Sequence, residues 1–200
     1  MEQRTVYLID DDDGVLGGLS FLLSTAGYHV LAYRSGMDFL ERFPDEPKGC
    51  IVTDVRMPGV NGIALTAQLR GRGLTLPVIV ISGHGDIPMA VQAVRAGAFD
   101  FIEKPFEDEV LIDSLTRAFS AAVAPEDRAR LGRSIEALSA DDRTLLDYLL
   151  AGWDNERMAA QFDMETREVE QRMGRIIAGM AAGNLSTLLR SLLALRRART

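Results

Sequence analysis

The residues best suited to chemistry in this 200-residue sequence each follow an apolar run typical of a β-strand. Asp54, the aspartates at 10–13 and Lys104 all occupy such positions. In a parallel sheet the carboxyl ends of the strands share one edge, and ligands of open α/β sheets bind at that edge. The spacing therefore predicts a pocket in which several carboxylates meet one ammonium group.

A pocket of this composition is suited to accepting a phosphoryl group. Ionised Asp10, Asp11 and Asp54 would repel each other and need a cation, and ligands that are all oxygen select a hard ion such as Mg²⁺. The ion offsets negative charge when a phosphoryl group arrives on a carboxylate oxygen, and Lys104 supplies a second cation. Ser82 follows another strand-like run, and its hydroxyl can reach a phosphoryl oxygen.

Strand-like runs and helical patterns alternate five times across residues 5–122. This alternation predicts a doubly wound α/β domain, which is a five-stranded parallel sheet with helices on both faces. Ser35 is the expected N-cap of the second helix, which should run to about Phe43 because a proline follows it. Asp12 and Asp13 suit the start of the first helix, where the helix dipole favours negative charge. The predicted strands are 5–9, 30–33, 50–54, 77–81 and 100–103.

The last part of the sequence carries helical patterns and no strand signal. Ser139 and Asp142 predict a capping box with Asp in place of Glu or Gln. Thr166 is the expected cap of the third helix of this part, and Gly183–Asn184 the break before the fourth. Four short helices, with a tight connection between the second and third, predict an all-α helix-turn-helix domain. The expected domains are 1–122 and 137–200, joined by a linker or helix extension over 123–136.

Charge and cysteine content place further bounds on the protein. The net charge of −7 lies in residues 1–120, since residues 121–200 hold as many basic as acidic side chains. Cys50 is the only cysteine, so no disulfide can form within the chain and a reducing compartment is expected. The sequence shows neither a basic-then-apolar leader nor an apolar run of the ~18 residues that span a bilayer. We therefore expect a cytoplasmic protein without membrane contact.

The pocket residues also carry a resemblance to a known family. Residues 1–120 resemble the receiver domain of two-component response regulators, and the stretch 78–106 is especially similar to the FixJ branch. The resemblance implies that the aspartate after the third strand accepts a phosphoryl group from a sensor histidine kinase. The matching residues, in order and at the family's spacing, are Asp10–Asp11, Asp54, Ser82 and Lys104–Pro105.

The resemblance to receiver domains implies a magnesium site with defined ligands. Asp11 would bind Mg²⁺ directly, and Asp10 would assist it. Asp54 would be shared between the ion and the phosphoryl group, and the backbone carbonyl of Arg56 would complete the site. The predicted cofactor is therefore Mg²⁺, held only by oxygen ligands.

The resemblance also implies a switch that responds to phosphorylation. Ser82 and Phe101 would form the switch pair: the hydroxyl moves onto the phosphoryl group and the aromatic ring turns inward. Lys104 would contact the oxygens of the phosphoryl group. Its peptide bond to Pro105 is usually cis in this family. The surface of Met89–Phe101 would be the face of a homodimer that phosphorylation promotes.

Residues 137–200 resemble the LuxR-type helix-turn-helix that FixJ-like regulators carry. The matching landmarks include Leu138–Ser139, Gly152, Asn155, Met164 and Val169–Glu170. Where the family usually has Thr, His and Lys, this sequence has Glu168, Arg172 and Gly179. The resemblance implies DNA binding through the third helix of the module. The candidate DNA contacts are Thr166, Arg167, Arg172 and Arg175.

Two functions are compatible with these residues. The first is a response regulator phosphorylated on Asp54, whose dimerisation and DNA binding regulate transcription. The alternative is a receiver whose divergent helical domain no longer binds DNA and acts through protein–protein contacts. DNA affinity rests on the neutralisation of phosphates by Lys and Arg, whereas residues 137–200 hold no lysine and nine arginines against nine acids. Neither function makes the protein a conventional enzyme, because a receiver catalyses only its own phosphoryl transfer and dephosphorylation.

Overall fold

The protein is described by a computed structural model, in which the chain divides into two compact units. The first comprises residues 1–85 and 96–122, and the second comprises residues 86–95 and 123–200. Within these ranges the structure describes residues 4–44, 47–83, 86–120, 131, 134–180 and 185–197. The predicted linker over 123–136 and the predicted break at Gly183–Asn184 therefore lie largely or wholly outside the described residues.

The first unit is built on a five-stranded parallel sheet in the order β2-β1-β3-β4-β5. Every residue of β3 and β4 is buried, as expected for central strands covered on both faces. The predicted α/β class is confirmed, and the strand bounds differ from the expected ones by one residue at most. The strands are β1 (Thr5–Ile9), β2 (His29–Tyr33), β3 (Cys50–Asp54), β4 (Val78–Ser82) and β5 (Asp100–Glu103).

Helices follow each strand in the chain, and local capping fixes where several of them begin. The side chains of Asp12, Ser35 and Asn61 accept backbone N–H groups at the starts of α1, α2 and α3. The helix α2 ends two residues before the predicted Phe43, because a residue that precedes proline is disfavoured in helical conformation. The helices are α1 (Asp13–Thr25), α2 (Gly36–Glu41), α3 (Gly62–Gly71), α4 (Ile87–Ala96) and α5 (Asp108–Ser120).

The strand register brings the predicted functional residues to one edge of the sheet. Ile9 pairs with Thr53, so the next residues in the chain, Asp10 and Asp54, lie side by side at the carboxyl ends of β1 and β3. Ser82 pairs with Glu103, which leaves Lys104 directly after the end of β5. The carboxyl ends of four adjacent strands therefore carry the two carboxylates, the hydroxyl and the ammonium group.

A buried apolar core holds this arrangement in place. Burial of aliphatic side chains between sheet and helices is the main stabilising contribution to such a domain. On the opposite edge, the guanidinium of Arg70 donates to the carbonyls of Leu74, Leu76 and Gly97 at 2.6–3.2 Å, which ties α3 to the segments before β4 and β5. Core members are Val6, Leu8, Leu16, Leu23, Val52, Ile79, Ile81, Ile102, Leu111 and Leu115.

The described part of the C-terminal region is helical, as the sequence predicts. Ser139 caps the first of these helices, and Asp142 bonds to the Ser139 hydroxyl rather than to a backbone N–H. The predicted cap at Thr166 is wrong: Thr166 is the first helical residue, and Glu165 occupies the cap position without a side-chain hydrogen bond. The helices are α6 (Ala140–Leu150), α7 (Asn155–Phe162), α8 (Thr166–Gly179) and α9 (Leu185–Arg197).

The connection between α7 and α8 has the geometry of a tight turn. Asp163 adopts a left-handed conformation with φ 53°, and the Met164 N–H donates to the Ala159 carbonyl at 3.0 Å. The two helices pack through buried Met158, Val169 and neighbouring apolar side chains, which fixes α8 relative to α7. No helix in the described part of the chain is long and apolar enough to cross a membrane.

Candidate functional site

The centre of the candidate site is an ammonium group bonded to two buried carboxylates. Lys104 Nζ lies 2.8 Å from Asp54 Oδ1 and 3.3 Å from Asp10 Oδ2. Asp54 is 9% exposed and Asp10 is 4% exposed, so both carboxylates are largely removed from water. The structure thus brings together three of the residues that the sequence selects for phosphoryl chemistry.

Backbone groups orient both carboxylates. The Arg56 N–H donates to Asp54 Oδ2 at 2.6 Å, and the Asp12 N–H donates to Asp10 Oδ1 at 3.0 Å. Each carboxylate therefore has one oxygen held by the backbone and the other facing Lys104. These two contacts fix the direction of each side chain.

The position of Lys104 depends on the pairing between β4 and β5. Its N–H donates to the carbonyl of Ser82 at 2.7 Å, which extends the pairing of the two strands by one residue. The peptide bond between Lys104 and Pro105 is cis. Ser82 is buried at the end of β4, and Phe101 is half-buried within β5. Ser82 therefore lies on β4, the strand that pairs with β3, and Phe101 lies on β5, one strand further along the sheet.

The pKa values of Asp10 and Lys104 are both raised, the first by burial and the second by pairing. Burial raises the pKa of Asp10, and the bonds that Asp10 makes with Lys104 and the Asp12 N–H offset this only in part. Burial alone would lower the pKa of Lys104, but its hydrogen bond to Asp54 and its attraction to Asp10 raise that pKa above the ordinary value. Lys104 is therefore charged at neutral pH.

Replacing Asp10 with Asn is expected to raise the free energy of unfolding at pH 7. Because the folded pKa of Asp10 is raised, its contribution to stability is fully present below the ordinary value near 3.8 and is lost as the pH rises through the folded pKa. The neutral amide avoids that loss. Urea unfolding across pH 3–8 would measure the difference, with the exposed Asp11→Asn as control. A variant less stable than the parent at pH 7 would contradict this expectation.

A glycine that the sequence analysis passed over sets the distance between α3 and the acceptor strand. The Gly62 N–H donates to the Val55 carbonyl at 3.2 Å, and a Cβ on Gly62 would lie 2.2 Å from the carbonyl oxygen of Asp54. No side chain fits at that distance. In the sequence, the feature that indicates this close contact is the glycine directly after Asn61, the N-cap of α3.

Gly62→Ala is expected to lower the free energy of unfolding by ~1–3 kcal/mol, because the added methyl group overpacks a closed contact. The substitution should also slow phosphorylation of Asp54, since either the acceptor or α3 must shift. Gly71→Ala is the matched control, because Gly71 ends the same helix and has open space around its Cα. Equal unfolding midpoints for the two variants would show that the contact at Gly62 is not restrictive.

The remaining predicted pocket residues are exposed, and the donor set fits a hard cation. The side chains of Asp11 and Arg56 face solvent. Among the described residues no group of three or more His, Cys, Asp or Glu is close enough to hold a metal ion. Mg²⁺ keeps several waters and uses only one or two carboxylates, so the pair of Asp10 and Asp54 is a sufficient set of oxygen ligands.

The candidate DNA contacts on α8 have different surroundings. Arg167 and Arg175 are exposed, and Thr166 is half-exposed at the first position of the helix. Arg172 is instead packed against α6, where its Nε lies 2.6 Å from Asp142 Oδ1. The sequence analysis missed this ion pair because nothing in a single sequence shows which acids of α6 face α8.

Comparison with known proteins agrees with the fold. A model of the response regulator receiver domain matches residues 6–116, which is more than half of the chain. The chain therefore belongs to the response regulator family. Its similarity extends over nearly the full length of relatives named FixJ, so it is a FixJ-like response regulator.

Individual relatives show how far the similarity reaches. The transcriptional regulatory protein FixJ of Rhizobium meliloti is 40% identical over 198 residues, covering 97% of both chains. The C4-dicarboxylate transport transcriptional regulatory protein DctR of Rhodobacter capsulatus is 37% identical, covering 93% of this chain and 98% of its own. A solved structure of full-length FixJ from B. japonicum is 35% identical, covers both chains completely and superposes with a TM-score of 0.57.

Proposed function

We propose that this protein is a two-component transcription regulator that a sensor histidine kinase phosphorylates on Asp54. The proposal is carried by one observation, the Lys104 ammonium bonded to the buried carboxylates of Asp54 and Asp10. Family membership and relatives named as transcriptional regulators support it. The lone buried Cys50 remains compatible with the predicted cytoplasmic location.

In the proposed reaction, a carboxylate oxygen of Asp54 attacks the phosphorus of a phosphohistidine on the kinase. The new O–P bond forms as the P–N bond breaks, and the imidazole leaves with the electron pair and takes up a proton. The Arg56 N–H orients the acceptor carboxylate. Lys104 places a positive charge beside the same carboxylate, where charge develops on the phosphoryl oxygens.

Mg²⁺ is the cofactor that the donor set of this pocket fits. Asp10 and Asp54 would hold it together with the backbone carbonyl of Arg56, and the exposed Asp11 side chain would turn toward them to bind it directly. When bound, the ion supplies positive charge that offsets the charge of an incoming phosphoryl group. The residues of the chain itself contribute orientation, through the N–H groups that hold Asp10 and Asp54.

Phosphorylation would be transmitted to the surface through β4, which pairs with the acceptor strand β3, and through β5, the next strand of the sheet. The Ser82 hydroxyl would move onto the phosphoryl group, and Phe101 would turn inward from its half-buried position. The proposed consequence is a homodimer formed through the face of Met89–Phe101. A ligand shifts such an equilibrium only by its differential interaction with the two states, and the phosphoryl–Ser82 and phosphoryl–Lys104 contacts would supply that difference.

The proposed output is DNA binding through α8 of the helix-turn-helix. The exposed Arg167 and Arg175, with Thr166 at the helix start, are the proposed contacts to DNA. Their guanidinium groups would neutralise backbone phosphates and release counterions. Relatives that cover nearly the whole chain are named as transcriptional regulators, which favours this output.

DNA binding is tested by titrating the full chain, treated with a small phosphodonor and Mg²⁺, into labelled mixed-sequence duplex while anisotropy is followed at several salt concentrations. Binding whose affinity falls steeply with salt is expected, with a log–log slope near −0.9 for each neutralised phosphate. Arg167→Gln should reduce the magnitude of the slope by ~1. An absence of binding at low salt would refute the DNA-binding output.

A second candidate is a response regulator whose helical domain acts through protein contacts. The equal numbers of acidic and basic side chains in residues 137–200 favour it, because they provide little net attraction to DNA. In this case the phosphorylated chain would form a stable complex with another protein and would show no salt-dependent affinity for duplex. The same titration therefore separates the two candidates.

A further inference from the structure

The arginines of α8 point in different directions around the helix. At ~100° per residue, Arg167 and Arg175 are separated by about 80° on the side of α8 opposite its buried apolar residues. Arg172 lies about 60° from buried Val169 and about 40° from buried Ile176. The Arg172 side chain therefore projects from the flank of α8 that packs against α6.

The carboxylate of Asp142 fixes Arg172 on that flank. Arg172 Nε lies 2.6 Å from Asp142 Oδ1, and a guanidinium nitrogen lies 3.9 Å from the exposed carboxylate of Asp141. The Arg172 side chain is 24% exposed and the Asp142 side chain is 26% exposed. A hydrogen bond between two charged groups that are this far withdrawn from water is stronger than a surface ion pair.

Asp142 is itself held by the helix cap of α6. Its Oδ2 bonds to the Ser139 hydroxyl at 2.7 Å, while its N–H donates to the same hydroxyl oxygen at 3.1 Å. Asp142 thus uses one oxygen for the cap and the other for Arg172. If Arg172 left Asp142 to bind an external phosphate, Asp142 would keep an unpaired, half-buried charge. The energetic cost of that charge opposes the move.

A cavity of about 310 Å³ opens beside this ion pair. Its walls are Leu138, Asp142, Arg172, Arg175 and Ile176. Arg175 reaches the rim of the cavity from the exposed face of α8, and within the described part of the chain no carboxylate forms an ion pair with it. The two arginines therefore differ: Arg172 is hydrogen-bonded to Asp142, whereas Arg175 is attracted by the same carboxylate without a direct contact and can turn to an external anion.

We propose that Asp142 is the internal counter-ion of Arg172 and withholds it from DNA phosphates, so that Arg167 and Arg175 are the cations of α8 that bind DNA. This inference rests on the proposed DNA-binding function and differs from the sequence-based prediction, in which Arg172 is also a DNA contact. Asp142 is thus a specificity-determining residue: it limits how many phosphates α8 neutralises and lowers non-specific affinity.

The test compares DNA binding by full-length variants across about 50–200 mM salt, with mixed-sequence duplex and anisotropy as the readout. Asp142→Asn removes the charge that holds Arg172 and keeps the shape of the cap. We expect tighter binding and a log–log slope steeper by ~0.9, which increases the ratio of affinities at the two salt limits ~3.5-fold. The double variant Asp142→Asn/Arg172→Gln should lose this additional slope.

Asp141→Asn is the matched control, because it removes the same charge one residue away and leaves the 2.6 Å pair intact. Equal gains for Asp141→Asn and Asp142→Asn would overturn the inference, and so would a gain that persists in the double variant. Either result would mean that removal of a repulsive acid explains the tighter binding.

Two further outcomes keep this test separate from that of DNA binding. If the parent chain fails to bind duplex, the proposed DNA-binding output is refuted. Binding gained by Asp142→Asn would then still support the inference, and the absence of such a gain would overturn it. If Asp142→Asn fails to fold, the Nε–H resonance of Arg172 in the parent chain decides. A resonance that is unchanged on addition of duplex supports the inference, and a resonance that shifts with bound DNA overturns it.

Discussion

Asp54→Asn is expected to reduce labelling of the chain by a small phosphodonor in Mg²⁺ to background. The amide lacks the anionic oxygen that must attack phosphorus, and it offers Lys104 a weaker partner than the present carboxylate at 2.8 Å. Radiolabel incorporation or intact mass after exposure to the phosphodonor measures the effect.

The control for this experiment is Asp13→Asn. Asp13 is an exposed acid in the first turn of α1, paired on the surface with Arg34, so its loss should leave labelling unchanged. Both variants should unfold cooperatively in urea, which would show that any loss of label is chemical. An aspartyl phosphate that persists in Asp54→Asn would remove Asp54 as the acceptor.

Lys104→Ala is expected to leave the chain folded and still labelled, but to abolish the increase in mass in solution that phosphorylation causes. Lys104 bonds to both carboxylates, and its charge would draw the phosphoryl oxygens into the place of the present contacts. Without it, the phosphoryl group lacks one of the contacts that distinguish the active from the resting conformation. Light scattering before and after treatment with the phosphodonor measures the change.

The sequence supplies a direct control, since Lys48 is the only other lysine. Lys48 is exposed, so Lys48→Ala removes an ammonium group from the surface. This variant should dimerise on phosphorylation like the parent chain. A phosphorylation-induced mass increase that survives in Lys104→Ala would show that this ammonium does not couple the acceptor to the dimer face.

Much of the pocket follows from the sequence because strand ends in a parallel sheet are adjacent. The positions of Asp10, Asp54 and Lys104 directly after three apolar runs are sufficient to predict that they meet, and the register of β1, β3 and β5 with their neighbours brings this about. The cap at Ser35 is similarly local, since the hydroxyl bonds to an N–H three residues later.

Features that depend on contacts between distant elements could not be obtained in this way. The close approach of Gly62 to the Asp54 carbonyl depends on how α3 packs on β3, and the pair of Arg172 with Asp142 depends on the rotation of α8 against α6. Residue type alone predicts a cap at Thr166. In the structure Asp163 ends α7 in a left-handed conformation, and Glu165 occupies the cap position of α8 instead.

The most direct measurement is the DNA affinity of the full chain before and after treatment with a small phosphodonor in Mg²⁺, at fixed salt, with Asp54→Asn alongside. Phosphorylation of the parent chain is expected to increase the affinity for duplex, and Asp54→Asn is expected to show the unphosphorylated value under both conditions. An affinity that is the same with and without phosphate on Asp54 would contradict the coupling of this receiver to DNA binding.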